Sequence, residues 1–303
     1  MFFLRNFLPD NINFDFLRIR YVGLIISGLL MIATIYGFVT KGLNLGIDFR
    51  GGILIEARFE KEPDLDLIRH NLNSLNIGEV TIQTIEGGKD LLIKAGYKEG
   101  QNVMDNASLI QKTIKDKISN KAEFRKVEFV GAEVGNEMIS DGVIAILLTF
   151  IGIMLYVWYR FNWQYSIGIV VGLIHDVVLT LGYLIYMNFE FNITSIAAVL
   201  TILGYSVNDT VVIYDRIREN LYNVRQKSFF EILNLSINET IYRTLFTVLT
   251  TLLAAGSLVL FGGEALKSFS VTVFAGIIIG TYSSVFISIP VLSFFRDSVY
   301  KKK

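Results

Sequence analysis

Asp209 lies inside an otherwise apolar run, NITSIAAVLTILGYSVNDTVVIY from Asn192 to Tyr214, that is long enough to span a membrane. An ionisable side chain costs roughly 2.5 to 3.5 kcal/mol at a bilayer centre, so one retained there lines a water or ion path or has a partner. Ion or proton handling is therefore the first chemistry this chain suggests. At about 3.6 residues per helical turn, Ser195, Ala198, Ser206 and Asp209 share one small, polar face. Arg243, Thr247, Thr250, Ala254 and Ser257 share a face of a later apolar run, and Tyr165, Gly172, Asp176, Thr180 and Tyr183 share one of an earlier run. Three polar stripes are thus expected to converge on one interior.

Asp209 stands six residues before Asp215, about 9 Å along a helix, and Arg243 falls just inside the start of its own run. In antiparallel spans the two are expected to meet at similar depth. Two plainer roles stand beside a switching one: Arg243 snorkelling to the headgroups, and Asp209 held in a permanent pair with it. Asp176 falls about 20 Å into its run, deeper than Asp209. There a structural hydrogen bond to a neighbouring helix and a proton-relay role are equal readings, and the adjacent His175 is expected to point elsewhere.

Composition narrows the class. Of 303 residues, 52% are hydrophobic and only 18% charged, and the mean hydropathy is +0.50, which together indicate a multi-pass membrane protein rather than a soluble enzyme. Lys plus Arg equals Asp plus Glu at 28 each, so charge balance gives no sign of a nucleic-acid partner. With no cysteine and two histidines, disulfide frameworks, thiolate metal sites, cysteine nucleophiles and histidine-rich metal sites are excluded. The chain also lacks an HExxH segment and a glycine-rich phosphate loop, and no nucleophile stands beside a base, so no covalent catalytic site is expected.

Six membrane-length runs must position these residues: 21–39, 138–158, 163–187, 192–214, 241–261 and 268–294. The first is too long for a signal-peptide core and reads as an uncleaved span. Arg5, Arg18, Arg20, Arg160, Arg216, Arg218, Arg225, Lys227, Arg296 and Lys301 to Lys303 fall on one side, against Lys267 in the short loops opposite. Both termini are therefore expected to be cytoplasmic. The resulting order is a cytoplasmic segment (1–20), a first helix (21–40), a water-soluble α+β domain on the far side of the membrane (41–137), a five-helix membrane region (138–295) that includes a cytoplasmic loop (215–239), and a basic cytoplasmic tail (296–303).

Within 41–137, Ile53, Ile55, Ala57 and Phe59 alternate with polar neighbours as in a half-buried strand, and Leu65, Ile68, Leu72 and Leu75 recur at helical spacing. Further strand signals near 79–85, 90–95 and 123–130 flank a helical stripe of Ala107, Ile110, Ile114 and Ile118. The expected order is βαββαβ, a ferredoxin-like α+β domain. Gly51 and Gly52 suit a turn or bulge into the first strand, with Asp48 and Arg50 as exposed turn residues. The cytoplasmic loop 215–239 reads either as an interfacial amphipathic helix or as a solvated connector. GIVVG at 168–172 and GIIIG at 276–280 are read as close-packing sites between helices.

GLNLGIDFRGG at 42–52, GYSVNDTVVIYDRIREN at 204–220 and INETIYRTLFTVLTTL at 237–252 together resemble the SecF family, the smaller membrane subunit of the bacterial SecD and SecF translocation accessory complex. The resemblance covers about residues 20 to 295, and its discriminating piece is NDT followed by DRIREN. One departure is GAEVG at 131–135, where the family is expected to carry proline at the position of Ala132.

The resemblance implies a proton-driven member of the resistance, nodulation and division superfamily in the bacterial inner membrane. It would promote late steps of export of unfolded polypeptides alongside the SecYEG channel, in a heterodimer with SecD, with YajC as a further candidate partner. Carried over residue by residue, Asp209 and Arg243 are the proton-path residues, and the HDV segment adds weaker weight to Asp176. No cofactor is implied beyond protons as coupling ion. The expected mechanism has Asp209 exchange a proton in a hydrated path shared with SecD while Arg243 biases its charge state. Two rivals remain: a small-molecule or lipid exporter of the same superfamily, and a passive assembly scaffold.

Overall fold

The computed structural model describes residues 14–78, 80–85, 88–97, 101–224, 226–296 and 299. Arg5, Arg225 and Lys301 to Lys303 of the expected charge bias lie outside the described residues, as does most of the basic tail.

The chain opens with α1 (Arg20–Thr40), followed by a short α2 (Ile47–Arg50) that leads into β1 (Gly52–Arg58). Then come α3 (Leu65–Asn73), β2 (Val80–Thr84), β3 (Asp90–Gly96), α4 (Val103–Lys117) and β4 (Glu123–Val130). The strands form one antiparallel sheet in the order β2-β3-β1-β4, the split arrangement expected from the periodicity. Ile53, Ile55, Ala57 and Phe59 are all buried, and the helical stripes deliver Ile68, Leu72, Ile110 and Ile114 to the same core. Asp64 and Asn102 cap α3 and α4 by accepting from backbone N–H groups, which explains where each helix begins.

The glycine pair opens the domain as expected, with Gly51 and Gly52 at φ of 74° and 149°, values that side chains with a Cβ rarely adopt. The preceding residues form the short helix α2 rather than the expected turn; Arg50 is exposed as expected, Asp48 is half-buried, and Phe49 between them is buried at 4% exposure.

The remaining described residues are mostly helical: α5 (Ala132–Arg160), α6 (Trp163–Met187), α7 (Ile193–Asn223), α8 (Phe229–Phe261), α9 (Gly263–Ser283), a π-helical turn (Ser284–Ser288) and α10 (Ile289–Phe294). Among the described residues six helices are long and apolar enough to cross a membrane, the sixth running from Leu266 to Phe294. Ala132 is the first helical residue of α5, a position where proline is well tolerated because its N–H has no intrahelical partner. In the sixth span Pro290 has no N–H to give, and the π turn just before it resets the ladder. Tyr214 Oη donates to the Ser288 carbonyl there at 3.1 Å.

One boundary differs in kind. The stretch 215–239 is largely helical rather than a loop: α7 and α8 continue through it and leave 224–228 as connector. Charged residues make this possible by pairing between the helices. Arg216 bonds Glu239 of α8 at 2.7 Å and Asp215 pairs with Arg160 of α5 at 3.2 Å, while Arg218 supports Asp215 from one turn along α7 at 3.3 Å. Buried Asn220 donates to Ser236 Oγ and Glu239, and Asn234 and Asn238 hold the backbone of Phe14 and Phe16.

The α+β domain is tied to the bundle where α6 meets α7. Gly46 N–H donates to the Phe191 carbonyl at 2.8 Å, and Phe191 N–H donates to the Asn44 carbonyl at 2.7 Å. Phe49 stacks on Phe191 with ring centroids 5.6 Å apart, and Lys94 of β3 makes an ion pair with Glu190.

Candidate functional site

The site is built on α6 and α7, which small residues bring close to the last membrane helix. Gly276 and Gly280 of α9 lie against Ile202 and Ser206 of α7, and Gly168 and Gly172 of α6 lie against Tyr214 and Ser288. The two small-residue motifs are thus packing sites. The start of α7 is fixed twice. Asn192 accepts from Ser195 N–H at 3.1 Å in a reciprocal capping box, and Asp48 Oδ2 accepts from Ile193 N–H at 3.0 Å. Asp48, expected to be a simple turn residue, therefore ties the domain to the helix that carries Asp209.

Asp209 is buried at 3% exposure, and among the described residues its Oδ2 has no hydrogen-bond partner. Ser195, Ala198 and Ser206 are buried on the same face, so the stripe points inward as its spacing predicts. Arg243 of α8 is close enough for its charge to act on Asp209. The two form no ion pair within the 4.0 Å limit among the described residues. In this structure the charge of Arg243 therefore acts on Asp209 from beyond ion-pair distance.

The third stripe does not converge. Arg243, Thr247, Thr250, Ala254 and Ser257 are exposed along α8, so two polar stripes meet inside the bundle and one looks outward. A guanidinium and hydroxyls exposed midway along a membrane-length helix need water or another polypeptide against them. The small hydroxyls are partly satisfied in place, Thr247 Oγ1 donating to the Thr244 carbonyl and Thr250 Oγ1 to the Phe246 carbonyl.

Asp176 has the opposite environment. It is fully buried and both oxygens are engaged: Ser206 Oγ–H donates to Oδ2 at 2.6 Å, and His175 Nδ1 lies 3.1 Å from Oδ1. His175, expected to point elsewhere, turns back onto its neighbour. Its Nε2 contacts Ser27 Oγ of α1 at 3.2 Å, Ser27 contacts Tyr282 Oη of α9 at 3.1 Å, and Tyr282 Oη donates to the Gly23 carbonyl at 2.7 Å. Ser27 and Tyr282 carry no spacing signal and were missed. Each stands among other hydroxyl residues of its apolar run, so residue type alone does not single it out.

Ser206 lies one turn from Asp209 on α7 and contacts Asp176 on α6, so the two buried carboxylates share a wall. No group of three or more His, Asp or Glu among the described residues is placed to hold a metal ion. The arrangement suits proton exchange: one carboxyl with a free oxygen and a nearby cation, backed by a second carboxyl in a continuous hydrogen-bonded chain.

Comparison with known proteins agrees with this architecture. Residues 110–298 match the family described as protein export membrane protein SecD/SecF, C-terminal, and residues 36–63 match the SecD/SecF GG motif. The chain is 49% identical over 296 residues to the protein translocase subunit SecF of Rickettsia felis, covering 98% of this chain and 96% of that one. It is 49% identical over 295 residues to that of Rickettsia bellii, covering 97% of each. The crystal structure of SecDF, a translocon-associated membrane protein from Thermus thermophilus, superposes with a TM-score of 0.83 at 31% identity, over 94% of this chain and 39% of that longer one. A structure of SecDF in a super-membrane-facing form gives 0.67 at 29% identity, over 96% and 39%. Full-length identity, two family matches and the shared fold agree, and the chain belongs to the SecD/SecF family as a SecF-type, multi-pass membrane subunit of the protein translocase, a transport component and not an enzyme.

Proposed function

We propose that this subunit couples proton movement to late steps of protein export, with Asp209 as the exchanging carboxyl and Arg243 as the charge that biases it. Asp176 serves as a secondary group behind it. The observation that carries this reading is a buried carboxylate with an unpartnered oxygen, near a cation held on an outward-facing polar stripe. A carboxylate near a guanidinium is favoured in its charged form, and moving the guanidinium away favours the neutral one. Proton occupancy and helix position are then linked, as a two-state switch requires. One charge crossing 100 mV supplies ~2.3 kcal/mol, enough to bias such a switch strongly.

The exposed stripe of α8 supports a partner across from Arg243, and membership of the family implies association with SecD. The shared groove is the hydrated path. The Arg-rich end of the bundle faces the cytoplasm by the positive-inside rule, which puts both termini there and the α+β domain in the periplasm of a bacterial inner membrane. Motion of α7 reaches that domain through Asp48 and the Phe191 junction. The domain acts on unfolded polypeptide leaving the SecYEG channel.

The test is gradient-dependent export into vesicles carrying Asp209→Asn, with the SecD complex still assembled. Loss of the gradient-dependent increment is expected. Normal export with a normal gradient response would replace the proton switch with the scaffold reading.

A further inference from the structure

The hydrogen-bond chain from Ser206 to Gly23 runs through four helices, and one of its ends is fixed in direction. The Gly23 carbonyl can only accept, so Tyr282 Oη–H donates to it at 2.7 Å. Tyrosine has a single hydroxyl proton, so the 3.1 Å contact between Ser27 and Tyr282 uses the proton of Ser27. Ser27 then has only lone pairs left for His175, and the 3.2 Å contact at Nε2 requires Nε2–H as donor. At the other ring nitrogen, Nδ1 faces Asp176 Oδ1 at 3.1 Å, so a proton must lie between them. Two lone pairs turned on each other in a fully buried site would repel.

Two arrangements satisfy every contact: neutral His175 with protonated Asp176, or imidazolium with carboxylate. Each carries two protons and no net charge, as suits groups at 2% and 0% exposure. The groups that face the pair are Ser27 from α1, Ser206 from α7 and Tyr282 from α9, with Asp209 one turn beyond Ser206. No Lys or Arg ion-pairs with either residue among the described residues.

We propose that His175 and Asp176 are a two-proton store whose filling is read out on α1. When one proton passes to water, a neutral imidazole and a carboxylate remain. The remaining ring proton stays on Nδ1, donating to the carboxylate, and Nε2 becomes an acceptor. Ser27 turns its hydroxyl from Tyr282 to Nε2, Tyr282 turns its own to Ser27, and the Gly23 carbonyl loses its donor. Loss of one proton thus breaks one of the two hydrogen bonds between α9 and α1, the one to Gly23, and keeps the Ser27–Tyr282 contact with its direction reversed, which loosens α9 on the helix that leads into the α+β domain. A cleft of about 240 Å³ between α1, α6 and the sixth span, lined by Leu24, Ser27, Gly28, Met31 and His175 among others, reaches this contact and gives α1 room to shift.

The role in export rests on the proton-coupled reading above, whereas the protonation pattern is independent of it. The experiment uses the intact complex with SecD in lipid bilayers, with histidine side chains labelled with nitrogen-15. Subtracting the solid-state spectrum of the His175→Gln complex isolates the His175 signals. At neutral pH the native protein is expected to show Nε2 protonated. Tyr282→Phe, which keeps the ring and removes the hydroxyl, frees Ser27 to donate and is expected to shift the proton to Nδ1 alone at the same pH. An unprotonated Nε2 in the native complex, or a pattern unchanged by Tyr282→Phe, overturns the proposal. The same Tyr282→Phe variant is expected to reduce gradient-dependent export by roughly fivefold, the worth of about one net hydrogen bond. An unchanged gradient response would sink the readout on α1. Asp209→Asn leaves the His175 spectrum as it is, so failure of the two ideas can be told apart.

Discussion

Asp176 and Asp209 are both buried carboxylates on facing helices, one turn apart through Ser206, yet their surroundings differ. Asp176 is satisfied on both oxygens by groups of this chain. Asp209 keeps an oxygen without a partner and faces an arginine across a gap. A closed circuit holds the helices together, whereas an open one can be completed by water, a proton or a moving cation. Exposure alone, 0% against 3%, does not separate the two. Hydrogen-bond satisfaction does, because an unmet buried acceptor is where a change of protonation costs least in existing structure.

The sharpest way to break this contrast is Asp176→Ala. It strands Ser206 and His175 without their acceptor and is expected to destabilise the subunit by about 3 kcal/mol, measured by thermal or chemical unfolding in detergent. A loss no greater than that of Asp209→Ala would erase the distinction. Next, Asp209→Asn is expected to leave unfolding within about 0.5 kcal/mol of native while removing the gradient-dependent part of export, measured in vesicles. An equal drop in stability would mean that Asp209 is structural like its neighbour.

Gly280→Ala probes the wall between the carboxylates. Its methyl would come within 3.0 Å of Ser206 Cβ and 3.5 Å of Asp176 Oδ2, and the crowding is expected to cost about 1 to 2 kcal/mol in the same unfolding assay. The smallest effect is expected at the domain junction. Asp48→Ala removes one of the two caps of α7 and is expected to cost about 0.5 to 1 kcal/mol. Hydrogen exchange should rise at Ile193 and leave the Asp176 region unchanged.

Most of the architecture was legible in the sequence, for a local reason. Apolar runs of membrane length and the alternation of Ile53, Ile55, Ala57 and Phe59 are written over a few adjacent residues, and each element buries its face wherever its neighbours lie. The inward stripes of α6 and α7 followed from the same arithmetic. That arithmetic failed on α8, because periodicity shows that Arg243, Thr247 and Thr250 share a face and says nothing of which way the face turns. It failed again at 215–239, where charge suggested a loop while cross-helix pairs such as Arg216 with Glu239 sustain two helices instead.

By itself, then, the sequence determined the spans, the α+β insertion and the presence of two carboxyls where charge is costly, since hydrophobicity and period are properties of neighbouring residues. The tertiary structure decided which carboxyl is satisfied, where His175 points and how Asp48 reaches α7. Those outcomes depend on partners 30, 148 and 145 positions away, brought together by helix packing that no local pattern encodes.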